Sequence, residues 1–302
     1  MNRIATVPLQ TTMSSSIGKT QVRLSELQQQ LASGKKATDL ASLGSETGRN
    51  LSARSLVSRQ EAQLAVSKRV ETSLQLYESH ITQMDDVTSQ LRTDILRAVG
   101  TEQGAGLQDA AEAAFDQIRA ALNATEAGIP MFGGAQDGAH PFVPKSLAET
   151  AGMDAQDAFT NDDVRRQARV AEGLDLEYGV LADEVGSKLF EAFKTIAEAG
   201  PIGSELTAAQ KTALTDALDQ MDGAIGDIRD ANSANGRRQA QAEQVTRRAE
   251  DRMLVLKQVI SNNEDADLGD VAMELSQVQT RLEASYSVFA RLANLNLGDY
   301  LR

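Results

Sequence analysis

Five prolines, at positions 8, 130, 141, 144 and 201, divide this chain of 302 residues and leave residues 9–129 and 202–302 without a single one. Proline removes an amide donor and its ring clashes with the turn before it. Long helices are therefore possible in those two stretches and not in the proline cluster at 130–144. The composition agrees: aromatic residues make up 4%, Trp is absent, and Ala, Gln, Leu, Ser, Asp and Glu dominate. That palette suits long helices better than one large globular core.

Apolar spacing then tells which faces those helices bury. Met13, Ile17, Leu24, Leu27 and Leu31 follow a four-three rhythm if Thr20 fills one place, and Ser33-Gly34 ends the run, which predicts a helix over about residues 9–32 with a coiled-coil seam. A second seam, Val70, Leu74, Tyr77, Ile81, Met84, Thr88, Leu91 and Ile95, lies on a helix expected from about residue 50 to 99. At 1.5 Å per residue that helix is about 75 Å long. A third helix is expected at 106–127. Leu214, Leu218, Met221, Ile225 and Ile228 form a further seam, which the polar patch NSANGRRQAQ at 232–241 is expected to interrupt as a weakly packed helix or bend. The most regular seam is the last: Leu268, Val271, Leu275, Val278, Leu282, Phe289 and Leu292, broken only by Ser285.

The middle of the chain reads differently. GIPMFGGAQDGAHPFVP at 128–144 and the alternating segments near 164–181 predict a small β-rich insertion. The expected fold is mainly α: a long antiparallel helical coiled coil built from N- and C-terminal segments, with a small β-rich outer insertion. The expected division is a terminal coiled-coil assembly region of 1–45 with 262–302, a helical rod domain of 46–127 with 183–261, and an outer domain of 128–182. Each terminal seam is two to four heptads long, near the length at which an isolated helix is marginal in water. The terminal seams are expected to stabilise each other or neighbouring subunits.

Chemistry finds no foothold. Cys is absent, which excludes disulfides, thiolate metal sites and a cysteine nucleophile. Gly18-Lys19-Thr20 lacks the first glycine of a phosphate loop, because position 13 is Met13. Asn263, Asp265, Asp267 and Glu274 fall at calcium-loop spacing, but Leu268 stands where the loop needs glycine. Asp267 reads better as a helix N-cap, with Asp270 facing the positive helix end. Two histidines, His80 and His140, are too few for a zinc site without several carboxylates. No catalytic constellation, cofactor site or metal site is expected, and no enzyme activity. Residues 1–100 carry 12 basic and 9 acidic side chains, and residues 101–302 carry 18 and 34. That balance argues against nucleic acid as a partner. The basic pairs Arg165-Arg166, Arg237-Arg238 and Arg247-Arg248 have no interleaved aromatics for base stacking; they read as solvated faces or subunit ion pairs. No run of about 18 apolar residues occurs, so membrane insertion is not expected. MNRIATVPLQ lacks the apolar core of a secretory signal, so export is expected by a route without a cleaved signal.

Several segments resemble a known family. LQQQLASGKKATD at 27–39 is similar to the end of the first terminal helix of flagellin-family axial proteins, and residues 267–301 resemble that family's C-terminal helix almost throughout. Met131-Phe132-Gly133-Gly134 and Pro141-Phe142 resemble elements of the family's hook-filament junction members, while LASLGSE at 40–46 stands where many relatives carry an Asp-Asp-Pro run. The resemblance covers roughly 1–144 and 183–302. It implies a structural subunit of the bacterial flagellum at the hook-filament junction, exported largely unfolded through the flagellum's own channel. It also implies terminal helices that join neighbouring subunits as coiled coils. Implied partners are further copies of the chain, flagellin, another hook-associated protein and a cytoplasmic export chaperone. A filament-forming flagellin, or a helical adaptor or adhesin of another class, are the alternative readings.

Overall fold

The computed structural model describes residues 3–37, 39 and 41–300, with side chains placed for residues 11–37, 39 and 44–291. The chain is mainly α: α1 (Arg3–Ser33), α2 (Thr47–Thr101), α3 (Leu107–Leu122), α4 (Ala182–Glu198), α5 (Ala208–Glu264) and α6 (Leu268–Tyr300). Between α3 and α4 lies a small insertion with two antiparallel pairs, β1 (Thr125–Glu126) with β2 (Ile129–Pro130) and β3 (Arg166–Ala171) with β4 (Leu174–Tyr178). The chain divides into two compact units, residues 1–59 with 252–302 and residues 60–251.

In the larger unit, α2 and α5 run antiparallel, as the pairings Arg92–Asp222, Asp85–Arg229 and Lys68–Glu250 record. The four-three rhythm on α2 buries Leu74, Tyr77, Ile81, Met84, Leu91 and Ile95, and α5 answers with Leu214, Met221 and Ile228. Helices α3 and α4 complete this core with Phe115, Ile118, Leu189, Phe190 and Phe193. A second, smaller cluster joins Val70 and Leu74 to Ala242, Val245 and the inner face of the β3–β4 hairpin, Val170 and Leu176.

The insertion is fastened to this core by the motif residues singled out above. Phe132 is fully buried with its ring edge-on to Tyr77 at 5.2 Å, and the Tyr77 hydroxyl donates to the Met131 carbonyl. Burial pushes the Tyr77 pKa up to about 12, which keeps that hydroxyl a donor. Phe142 packs among Phe115, Phe159 and Phe190. Gly134 has φ +67°, and a Cβ there would lie 2.2 Å from Asp162 Oδ1; that same carboxylate oxygen accepts the Ala135 and Val164 amides at 3.0 and 3.1 Å. Only glycine fits that approach.

Three expectations need correction. Helix α1 begins at Arg3 rather than near residue 9, since a proline removes one helical hydrogen bond without obliging the helix to stop. Helix α3 ends at Leu122 instead of running to 127. The Asn123 side chain trades two 2.9 Å hydrogen bonds with the Phe142 backbone and turns the chain into the β1–β2 hairpin. The patch at 232–241 neither bends nor loosens: α5 is continuous, and Asn235 is fully buried with its Nδ2 donating to the Leu74 carbonyl at 2.8 Å.

Candidate assembly interface

The smaller unit is built from helix ends. Helix α1 stops where Gly34, at φ +68°, takes the left-handed turn and returns its amide to the Gln30 carbonyl at 2.8 Å. Helix α6 starts at an Asx cap: Asp267 Oδ1 accepts the amides of Gly269 and Asp270 at 2.9 and 3.3 Å, and Asp270 lies in the first turn, where the helix dipole favours an acid. The two helices then lie antiparallel. Leu27 is fully buried against Val271 and Val278, with Leu24, Ala266 and Leu275 partly buried around them. Arg23 grips Glu274 through two hydrogen bonds of 2.9 and 2.8 Å.

Where these helices meet α2 and α5, one carboxylate gathers several donors. Glu264, the last residue of α5, is 7% exposed. It accepts Asn50 Nδ2 at 2.6 Å, Arg54 Nε at 2.8 Å and Nη2 at 2.6 Å, and the Lys35 ammonium at 3.4 Å. Its backbone carbonyl takes the Lys36 amide at 2.7 Å, and the Ala266 amide reaches the Gly34 carbonyl at 2.9 Å. Burial pushes the Glu264 pKa up, but the hydrogen bonds from Arg54, Asn50 and Lys35 outweigh it and hold the group below the ordinary glutamate value. Asp265 is lowered too, by Lys35 and then Ser261. The knot ties the turn after α1, the start of α2 and the α5–α6 junction into one arrangement.

The expected seam residues have different fates. Ile17, Leu27, Val271 and Val278 are buried; Leu24, Leu275, Leu282 and Phe289 are half-buried. Leu31 and Leu268 stand 41% and 48% exposed. The side chain of Leu292, like all of Leu301, lies outside the described residues. Off the seam, Val22, Met273 and Val288 are also exposed, at 60%, 61% and 47%. Glu264 escaped the sequence reading because its donors lie at positions 35, 50 and 54, far away along the chain. The one available signal was an acid placed at a helix end beside the Gly-Lys-Lys turn.

The residues at calcium-loop spacing do not converge. Asp265 is engaged by Lys35 at 2.6 Å, Asp267 caps α6 and Glu274 holds Arg23. Among the described residues, no group of three metal-capable side chains forms, and no helix is long and apolar enough to cross a membrane. His80 sits half-buried, its ring centroid 6.3 Å from that of Phe132, and burial lowers its pKa. Gly18-Lys19-Thr20 lies inside α1, where Thr20 Oγ1 donates to the Ser16 carbonyl; no loop cradles a phosphate there.

Residues 4–137 match the bacterial flagellin N-terminal helical region. No curated protein matches the chain by sequence. Among solved structures, the chain is similar to a protein of Vibrio parahaemolyticus assigned as flagellar hook-associated, at 15% identity and a TM-score of 0.59 over 72% of this chain and 97% of that one. That likeness concerns the fold. FlgL of Bacillus cereus is matched at 14% identity and a TM-score of 0.49, over 65% of this chain and 98% of that one.

Proposed function

We propose that the chain is a member of the flagellin superfamily, whose N-terminal helical region residues 4–137 match, and a structural subunit of the bacterial flagellum placed at the hook-filament junction. The observation that carries this reading is the state of the terminal helices. They pair with each other through a thin seam around Leu27, yet leave Leu31, Leu268, Met273 and Val288 open to water. Apolar side chains left exposed on paired helices suit contact with neighbouring subunits. The work is mechanical: copies of the chain pack around an axis, with another hook-associated protein on one side and flagellin on the other. Before export, a cytoplasmic chaperone covers the C-terminal helix, and the chain leaves through the flagellum's own channel to reach the cell exterior.

The junction is favoured over a filament by the Phe132-Gly133-Gly134 and Pro141-Phe142 elements, which resemble those of junction members and which fasten the insertion to the core. The alternative of a filament-forming flagellin draws support from the N-terminal match itself. Electron microscopy of cells lacking the chain separates the two. Bare hooks with flagellin lost to the medium support the junction reading; filaments of normal length on those hooks overturn it.

A further inference from the structure

Asparagine followed by glycine is the pair in a protein chain most prone to lose its side-chain amide, because glycine leaves the attacking backbone nitrogen unhindered and free to turn. Of the ten asparagines in this chain, one precedes a glycine, Asn235-Gly236. That pair lies midway along α5, and Asn235 is fully buried, with its Nδ2 donating to the Leu74 carbonyl of α2 at 2.8 Å. No donor among the described residues faces its Oδ1. Gly236 is not there for lack of room: it is exposed, and a Cβ added to it would meet no neighbouring element within 4 Å. Glycine inside a helix is also destabilising relative to alanine, so neither packing nor helix propensity accounts for it.

We infer that Asn235 is a deamidation site which the fold shuts, and that a chain left unfolded loses the means to close its α2–α5 seam there. The reaction needs only water. The Gly236 amide nitrogen gives its proton to solvent and attacks Asn235 Cγ; the N–Cγ bond forms, the Cγ–Nδ2 bond breaks, and Nδ2 leaves as ammonia. Water then opens the succinimide ring at one of its two carbonyls and leaves an aspartate or an isoaspartate. In the folded chain α5 is continuous, so the Gly236 amide is held in a hydrogen bond to the carbonyl four residues back, on Asn232. The Leu74 carbonyl pins Nδ2, and burial keeps water from Cγ. All three restraints vanish together when α2 and α5 part.

Either product damages the seam. An aspartate has no hydrogen to give the Leu74 carbonyl, and it sets a charge in a buried place where Oδ1 already lacks a donor. An isoaspartate routes the main chain through its own side chain, which lengthens the backbone in mid-helix and breaks the hydrogen-bond ladder of α5. Deamidation at Asn235 thus records the time a chain has spent unfolded, and refolding does not reverse it.

Peptide mass spectrometry of the purified full-length chain tests this. Held in concentrated guanidinium chloride at mildly alkaline pH, the wild type should deamidate at Asn235 before any other asparagine. Held folded in the same buffer without denaturant, it should do so at least about tenfold more slowly, since reaction then waits on opening of the helix pair. Gly236→Ala, which the space around position 236 admits, should fold as the wild type does and lose most of the reaction in denaturant. Wild-type chains aged in denaturant and then refolded should unfold at a lower denaturant midpoint than fresh ones, as should Asn235→Asp, while aged Gly236→Ala chains should match fresh ones. Equal rates in the folded and unfolded chain, or another asparagine reacting first in denaturant, would overturn the site. Aged wild-type chains as stable as fresh ones would overturn the damage, whether or not Asn235→Asp folds. Each of these outcomes leaves the flagellar reading untouched.

Discussion

Ala127 occupies a position that asks for another residue. It stands at φ +52° beside Gly128 at +83° in the two-residue turn joining β1 to β2, a turn in which both central residues take positive φ and Asn-Gly is the favoured pair. A non-glycine residue in the left-handed region costs roughly 1–2 kcal/mol. Ala127→Gly or Ala127→Asn should therefore raise stability by about 1 kcal/mol, read as a higher melting temperature with unchanged helix content. Glu264 supplies a second test at this scale. Its folded pKa lies below the unfolded value of 4.5, so its contribution is present above that pH and is lost as pH falls through the folded value. Glu264→Gln should cost on the order of 1–3 kcal/mol at neutral pH. The gap between variant and wild type, followed by denaturant unfolding, should close as pH drops below 4.5; a gap independent of pH would mean the carboxylate charge does not hold the knot.

At the scale of elements, the α2–α5 pair is held by a seam that is partly polar. Asn235 is buried on the Leu74 carbonyl, and Ser67 meets Thr246 at 2.8 Å between hydroxyls, where apolar residues would bind more tightly. Polar groups at such positions specify register at a cost in stability. Asn235→Leu should thus raise the denaturation midpoint while loosening register. Cysteines placed at positions 67 and 246 should cross-link cleanly in the parent chain and less selectively in the variant. The same feature explains how far the sequence could be read. The buried face of α2 was legible because Leu, Ile and Met recur every three or four residues; on α1 and α6 the same rhythm marks Ile17, Leu27, Val271 and Val278, which are buried, together with Leu31 and Leu268, which are exposed. The continuation of α5 through 232–241 was not, because periodicity arguments weigh apolar residues and this stretch buries an asparagine. The insertion's hairpin at 166–178 showed in its alternation, while the end of α3 depended on the hydrogen bonds of Asn123 to a residue 19 positions later.

For the whole molecule, the two units differ in what they bury. Residues 60–251 enclose a continuous core of aromatic and aliphatic side chains. Among the described residues, those of 1–59 with 252–302 bury little beyond the Leu27 cluster and leave large apolar side chains such as Val22, Met273 and Val288 exposed. The units also differ in charge, with 13 basic and 10 acidic side chains in the terminal unit against 17 and 33 in the other. The most direct test of the account uses cells whose only copy of the chain carries Met273→Asp and Val288→Asp. Both positions are exposed on α6, so the chain's own pairing with α1 should survive. The account predicts that electron microscopy of those cells will find the chain exported but absent from the hook tips, with filaments missing; variant chains incorporated at hook tips that carry normal filaments would contradict it.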